Sequence, residues 1–383
     1  MVKQKYDNHL RQQCFSLPEL CEDQIQGALK GLRDGVDGEV LKSVRNVTLT
    51  GCGDSYFASN AAVPAFKNYN NAFAAKFIAR RCIDMARYVD LPEKYGPSTM
   101  IAGISASGSA ARLREVMLRG NKRGYHTLLI TNNAQSHSAL EAKNVLCVNT
   151  PFFPNSNPGL RNYYASLVAS YLLAAALGQT KGICPADATD ELCDAIRNVT
   201  KAYAAVLESI DDMMFELACS WKDLKGFETV GDDIAGATAQ FVAAKFVETA
   251  GIIVPVANSE DWCHVNYFAD NAKDIGTIVF ADVSANNRSR IGETVNQAAG
   301  IGRRVLLVSN GTPQQFGIKY DVVHCPIPTP DEGYEFSHPL LGHLPGTLLA
   351  AYVAAMHGET YFRGGRWTTD GVNTVKTSEV VVV

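Results

Sequence analysis

Short apolar runs rich in β-branched residues recur along the chain, separated by longer stretches whose apolar positions repeat at helical spacing. In the first half the runs fall at 47–50, 100–104, 127–130 and 145–148. In the second they fall at 227–230, 252–256, 277–281, 305–308 and 322–324. Strands that are apolar on both faces and alternate with helices predict parallel sheets covered on each side, an α/β doubly wound class. Residues 1–40 read as a helical lead-in, 180–205 as a helical connection, and the Gly- and Thr-rich stretch after about residue 360 as a tail without its own core.

The pattern occurs twice. Residues 100–132 (MIAGISASGSAARLREVMLRGNKRGYHTLLITN) and 278–310 (IVFADVSANNRSRIGETVNQAAGIGRRVLLVSN) each give an apolar run, a serine turn, a helix ending at Gly and a second run closing on Asn. Ser284 follows Ser105 by 179 residues, Asn310 follows Asn132 by 178, and Gly231-Asp232 follows Gly53-Asp54 by 178. Spacing this regular predicts an internal duplication, hence two tandem domains. The expected division is a lead-in at 1–22, domains at 23–190 and 200–360, and a tail at 361–383.

With 383 residues, 46% hydrophobic and 19% charged, the chain is long enough for two globular cores. A net charge of -4 with no basic run argues against nucleic acid as a partner. The ten cysteines stand singly and form no CxxC pair, which fits a reducing compartment and offers no zinc knuckle or dithiol centre. The polar N-terminus lacks the apolar core of a signal peptide. The most apolar stretch, 163–177, is too short to span a bilayer and reads as a core helix. These features predict a cytoplasmic protein with no membrane partner.

Ligands of open parallel sheets bind beyond the carboxyl ends of the strands, so the turns just after each strand carry the chemistry. The first is Gly51-Cys52-Gly53-Asp54-Ser55; the second is Ser105-Ala106-Ser107-Gly108-Ser109. Glycines allow close backbone approach, and a helix N-terminus offers unpaired N–H groups to an anion. One serine per turn is an ordinary helix cap, but three alternating ones suit a phosphate. No GxGxxG or GxxxxGK[ST] occurs, which disfavours dinucleotide and P-loop sites. The duplicate turns read Gly231-Asp232-Asp233 and Ser284-Ala285-Asn286-Asn287-Arg288, and their added carboxylate predicts one phosphate site, in the first half.

Cys52-Gly53-Asp54-Ser55 and Ser105-Ala106-Ser107-Gly108-Ser109-Ala110 resemble the C-G-(T/S)-S and S-x-S-G-x-T turns of the sugar isomerase (SIS) family. The resemblance is to the isomerase half of the glucosamine-6-phosphate synthases and their stand-alone double-SIS relatives, and it runs from about residue 23 to the tail. It implies a phosphosugar substrate contacted by Cys52, Gly53, Ser55, Ser105, Ser107, Gly108 and Ser109. Ala244-Lys245-Phe246-Val247-Glu248 matches that family's A-L-K-x-x-E helix, His264 follows Glu248 by sixteen residues, and Lys376 matches its C-terminal lysine. The resemblance implies Glu248 as the base that shuttles a proton through an enediol(amine), His264 as the ring-opening group, and Lys376 as an oxyanion stabiliser or Schiff base. It also implies a homodimer whose histidine loop crosses between subunits, and neither cofactor nor metal. Taken singly, Glu248 with Lys245 reads as a surface i,i+3 pair, His264 as a loop histidine and Lys376 as a solvated charge.

Ala106 and Ala110 replace the family's Gln and Thr, Val265-Asn266 replaces Gly-Pro, and Asn157-Pro158-Gly159-Leu160-Arg161-Asn162 stands where the family has V-A-S-T-K-A, so that Arg161 could read a different substrate end. No cysteine follows Met1, so glutamine hydrolysis by that family's route is not expected. Three readings stay open: an isomerase or deaminase of a hexose or amino-sugar 6-phosphate, a fructosamine-6-phosphate deglycase, and a non-catalytic sugar-phosphate binder.

Overall fold

The computed structural model describes residues 1–71, 75–365 and 379–383. Its strands form two five-stranded sheets in which every pairing is parallel. The first holds β1 (Asn46–Gly51), β2 (Phe77–Arg81), β3 (Thr99–Ile104), β4 (His126–Thr131) and β5 (Asn144–Cys147), in the order β2-β1-β3-β4-β5. The second holds β6 (Gly226–Val230), β7 (Val256–Ala257), β8 (Ile275–Ala281), β9 (Arg304–Ser309) and β10 (Val323–Pro326), in the order β10-β9-β8-β6-β7. Read from β7, that is the first order over again, and it is the structural form of the sequence repeat.

The helices, in chain order, are α1 (His9–Gly35), α2 (Gly38–Ser43), α3 (Asp54–Tyr69), α4 (Cys82–Arg87), α5 (Ala111–Lys122), α6 (His137–Glu141), α7 (Leu160–Thr180), α8 (Ala188–Trp221), α9 (Asp233–Ala250), α10 (Ser259–Trp262), α11 (Arg288–Gly300) and α12 (Leu344–Met356). Contacts divide the chain into two units. One contains the first sheet (Glu19–Phe153 and Arg161–Arg197, joined by residues of the C-terminal end), and the other contains the second (Met1–Pro18, Pro154–Leu160 and Asn198–Arg366).

Eight of the nine apolar runs become strands within a residue or two of their expected limits. The run at 252–256 does not: Pro255 has no N–H for the ladder, so pairing begins after it, and its carbonyl serves only as an acceptor for Thr229 N–H (3.0 Å). The sequence pattern also misses β2, because only Phe77 of its FIARR residues is buried; an edge strand need not be apolar. By contrast the central β3 is buried along its whole length. The stretch 163–177 lies in α7, with Tyr163, Tyr164, Tyr171 and Leu172 all buried, as a core helix requires. Glu335–Met356 is apolar and long enough to cross a membrane, yet 89% of its most apolar window is buried inside the fold.

Each unit contains a buried carboxylate tied by several donors. In the second-sheet unit, Asp211 on α8 is fully buried and meets Lys3 Nζ and Arg11 Nη2, both at 2.8 Å, and Tyr352 Oη at 2.7 Å. In the first-sheet unit, Glu115 on α5 is buried against Arg87 and Arg112, each at 2.9 Å, and accepts Val381 N–H at 2.7 Å. Burial alone would push the Asp211 carboxyl up; the hydrogen bonds from Arg11, Lys3 and Tyr352 outweigh it and hold the carboxyl below its ordinary range. A depressed folded-state value stabilises above the unfolded pKa and is lost as pH falls through the folded one. Asp211→Ala, which leaves two cations around a buried gap, is expected to cost about 3–5 kcal/mol in urea denaturation at pH 7. The deficit relative to wild type should shrink below about pH 4, and an equal deficit at every pH would contradict the assignment.

Candidate functional site

The serine turn at the carboxyl end of β3 divides its hydroxyls between two tasks. Ser105 is buried; its N–H donates to Ile130 O (3.0 Å) and its Oγ accepts from Gly108 N–H (3.0 Å), so it builds the turn. Ser107 and Ser109 are exposed, with their hydroxyls 2.8 Å apart. Gly108 sits at φ +63°, and a Cβ there would fall 1.8 Å from Ser136 Oγ, so only glycine closes this turn. No side chain caps α5 at Ala110, which leaves first-turn N–H groups to meet an anion.

The neighbouring turn joins β1 to α3, with Gly53 at φ +55°. Ser55 N–H donates to Cys52 O (3.2 Å), which tightens the turn and exposes Gly53 and the Cys52 thiol. β1 pairs with both β2 and β3, so this turn stands between the end of β2 and the serine turn. Three side chains join the site that the sequence did not single out. Arg81 ends β2 and lies over the Tyr56 ring at 5.1 Å. Arg112, in the first turn of α5, lies close enough to favour the Cys52 thiolate, and Cys82 hydrogen-bonds Cys52. Their only sequence signal was the position of Arg112 directly after the serine turn; Arg81 and Cys82 became visible once β2 existed.

Arg161 opens α7 with only 7% of its surface exposed. Its guanidinium donates to Pro151 O (3.4 Å) and stacks on Phe153 (4.8 Å), and burial lowers its pKa.

In the second-sheet unit Glu248 lies on α9 and pairs with Lys245 Nζ at 2.5 Å. The spacing is i,i+3, but this is not a surface pair: Lys245 is fully buried, with its ammonium 4.5 Å from the Phe241 ring. His264 follows α10 and is exposed, with Nε2 2.7 Å from Glu260 Oε1 rather than bonded to Glu248. Lys376 lies outside the described residues. The second-half counterpart of Ser105 is spent internally, because Asp282 accepts from Ser284 N–H (2.8 Å), Ser284 Oγ (2.7 Å) and Asn310 Nδ2 (3.1 Å).

Two tandem parallel sheets of one strand order, with a serine turn after the third strand of the first, give a double-SIS α/β fold. In sequence and in fold the chain is similar to SIS-domain proteins. Over 256 residues it is 22% identical to the glutamine–fructose-6-phosphate aminotransferase (isomerizing) of Corynebacterium diphtheriae, an alignment covering 64% of this chain and 39% of that protein. The chain thus spans about two-fifths of the length of that curated relative. Its fold superposes on the C-terminal domain of glucosamine-fructose-6-phosphate aminotransferase from Francisella tularensis with a TM-score of 0.79 and 16% identity, covering 94% of this chain and 99% of that one. It superposes on tagatose-6-phosphate ketose/aldose isomerase from Escherichia coli with a TM-score of 0.68 and 14% identity, covering 93% and 95%. No protein-family model matches the chain.

The Cys52 thiol is held below its ordinary value by the hydrogen bond from Cys82, aided by Arg112 against the effect of burial, while the Cys82 thiol is pushed up. All ten cysteines are free and Cys52 alone is exposed. Because the thiolate is the nucleophile, iodoacetamide at neutral pH is expected to alkylate Cys52 first, as read by peptide mass spectrometry. Cys82→Ala should slow that reaction, and equal labelling of Cys52 and Cys147 would contradict the assignment.

Proposed function

We propose that this chain binds a hexose or amino-sugar 6-phosphate and moves its carbonyl between C1 and C2, as a phosphosugar isomerase or an amino-sugar-phosphate deaminase. The observation that carries the reading is the pair of exposed hydroxyls, Ser107 and Ser109, 2.8 Å apart beside an uncapped helix start and near Arg112. That arrangement suits the oxygens of a phosphate monoester, and the names of the relatives point to the same substrate class.

In this reading Glu248 takes a proton from one of the two carbons and returns it to the other, through an enediol or enolamine. His264 moves a proton on or off the ring oxygen as the sugar opens, and Lys376 neutralises the charge that develops on the carbonyl oxygen. Loss of ammonia from C2 of an amino sugar continues from the enolamine: protonation at C1 gives the C2 imine, and water adds to it to release ammonia and leave the ketose. Cys52, Gly53, Ser55 and the serine turn hold the phosphate end, and Arg161 shapes the pocket beside them. No cofactor or metal takes part in this scheme. The working form is a homodimer in the cytoplasm.

The test follows fructose 6-phosphate and glucosamine 6-phosphate by proton NMR in D2O with the full chain. Turnover with solvent deuterium entering at C1 or C2 is expected. Glu248→Gln should lower it about 100-fold or more, the usual contribution of a general base. Because Lys245 is buried against Glu248, a melting curve accompanies that variant; Lys245→Met in the same chain removes the stranded charge and separates lost stability from lost chemistry. Absence of both turnover and exchange on either sugar would refute the reading.

Binding gives a second test. Ser107→Ala should remove about 1–3 kcal/mol of phosphosugar affinity in calorimetry, the worth of a hydrogen bond to a charged group, and unchanged affinity would reject the serine turn. Ser284→Ala should leave that affinity as it is, since its hydroxyl is already bonded to Asp282.

A further inference from the structure

The second-sheet unit contains a cavity of about 540 Å³ at the carboxyl ends of β6 and β8, formed wholly by its own residues. Its inner wall is apolar, with Phe280, Ile291, Val308 and Ile327. Five carboxylates line it: Asp232, Asp233, Glu260, Asp282 and Glu335. They are not equally available. Asp232 accepts from Ser259 N–H (2.9 Å) and Asn287 Nδ2 (2.6 Å), and Asp282 is bonded to Ser284 and Asn310. Glu260 is paired with Arg290 at 2.7 Å, and that arginine, the one arginine or lysine in the lining, is shared with Glu293 at 2.9 Å. Among the described residues Glu335 accepts from Gly333 N–H alone (3.0 Å), and Asp233, which is exposed, has no partner. The cavity therefore carries net negative charge concentrated at Asp233 and Glu335.

An acidic lining alone does not make a site. Thr238 on α9 supplies the second observation: it is 2% exposed, it lines the cavity, and its Oγ1 has no hydrogen-bond partner among the described residues. His338 Nε2, in the lining on a half-buried residue, likewise has no hydrogen-bond partner among the described residues. Buried polar atoms are ordinarily paired, and a hydroxyl and an imidazole nitrogen in one cavity call for a ligand that both donates and accepts. Burial lowers the His338 pKa, so this ring adds no cation at neutral pH.

We propose that this cavity is a second ligand site, specific for a small hydroxylated primary ammonium compound without a phosphate, of the size of a free amino sugar. The ammonium group sits against Asp233 and Glu335, and hydroxyls meet Thr238 Oγ1 and His338 Nε2. A phosphate dianion is repelled by the same carboxylates. The site is separate from the serine turns and does not depend on the reaction proposed for them.

Calorimetric titration of the full chain with D-glucosamine, D-glucose and fructose 6-phosphate tests this. Glucosamine at pH 6.5 is expected to bind at least tenfold more tightly than glucose, and fructose 6-phosphate should not displace it. Asp233→Asn with Glu335→Gln should weaken glucosamine at least tenfold. Asp233 stands at φ +47°, a conformation asparagine adopts readily, so the variant keeps its turn. Thr238→Val, equal in shape, should weaken binding several-fold, and Ser107→Ala should leave it unchanged. No binding of glucosamine, binding equal to glucose, displacement by fructose 6-phosphate, or binding indifferent to the Asp233/Glu335 change would each overturn the proposal. The Ser107→Ala arm distinguishes its failure from failure of the serine-turn site.

Discussion

A parallel strand cannot return through a tight turn; the chain must cross back over the sheet before it pairs again. Each such return starts at the carboxyl end of a strand, so that one edge collects glycine turns and helix N-termini while the opposite edge collects little chemistry. In the order β2-β1-β3-β4, the connections leaving β1 and β3 diverge to opposite sides and open a crevice between their turns. In the first sheet that crevice is flanked by the Gly53 turn and the serine turn; in the second, by Gly231-Asp232-Asp233 and the turn beginning at Asp282. The two candidate sites thus hold the same topological position in the two sheets.

Helix α9 shows how burial changes the meaning of a spacing. Lys245 and Glu248, three residues apart, read in sequence as a solvated pair of little consequence. In the fold Lys245 has no exposed side-chain surface, while Glu248 keeps 40% of its own. The lysine lies against Phe241, and burial, aided by the lysine's charge, lowers the pKa of His343 to about 3. A buried ammonium needs a carboxylate beside it, because an unpaired ion in this setting costs several kcal/mol. Glu248 therefore has a structural duty to Lys245 whatever chemistry it performs, and in the proposed reaction its pairing with Lys245 would have to adjust as it takes a proton.

The legible part of the sequence was what depends on local pattern. Apolar strands, helix starts, and the repeat of 178 to 179 residues follow from side chains a few positions apart, and they carried the two sheets and both turns at the switch points. The edge strand β2 was silent because its neighbours on one side are solvent and its residues can be Arg as well as Phe. With it went Arg81 and Cys82, whose relevance comes only from the register Gly51 to Arg81 across β1 and β2. The division of labour among Ser105, Ser107 and Ser109 was likewise hidden, since it depends on which hydroxyl the Gly108 N–H reaches. The burial of Arg161 and of Lys245 belongs to packing between elements distant in sequence, which no local pattern reports.

The difference between the two halves can be weighed. A hydroxyl hydrogen bond to a charged ligand contributes about 1.5–3 kcal/mol, so replacing serines in the second turn weakens phosphate binding by a few kcal/mol. A carboxylate about 5 Å from one phosphate charge costs about 3 kcal/mol at an effective dielectric constant near 20, and a dianion roughly doubles it. Asp233 and Glu335, which have no compensating cation in the lining, therefore oppose a phosphate at the position where the first-half serines favour one. Loss of the hydroxyls alone would have left a poor phosphate site; gain of the carboxylates reverses the sign of the ligand charge that the position favours. The apolar wall of Phe280, Ile291, Val308 and Ile327 strengthens that reversal, because a less polar surround screens the field of the carboxylates less than open water does. Carboxylates at one turn and on the segment facing the cavity, Asp233 and Glu335, would give the same crevice a different ligand class while both sheets keep the same order.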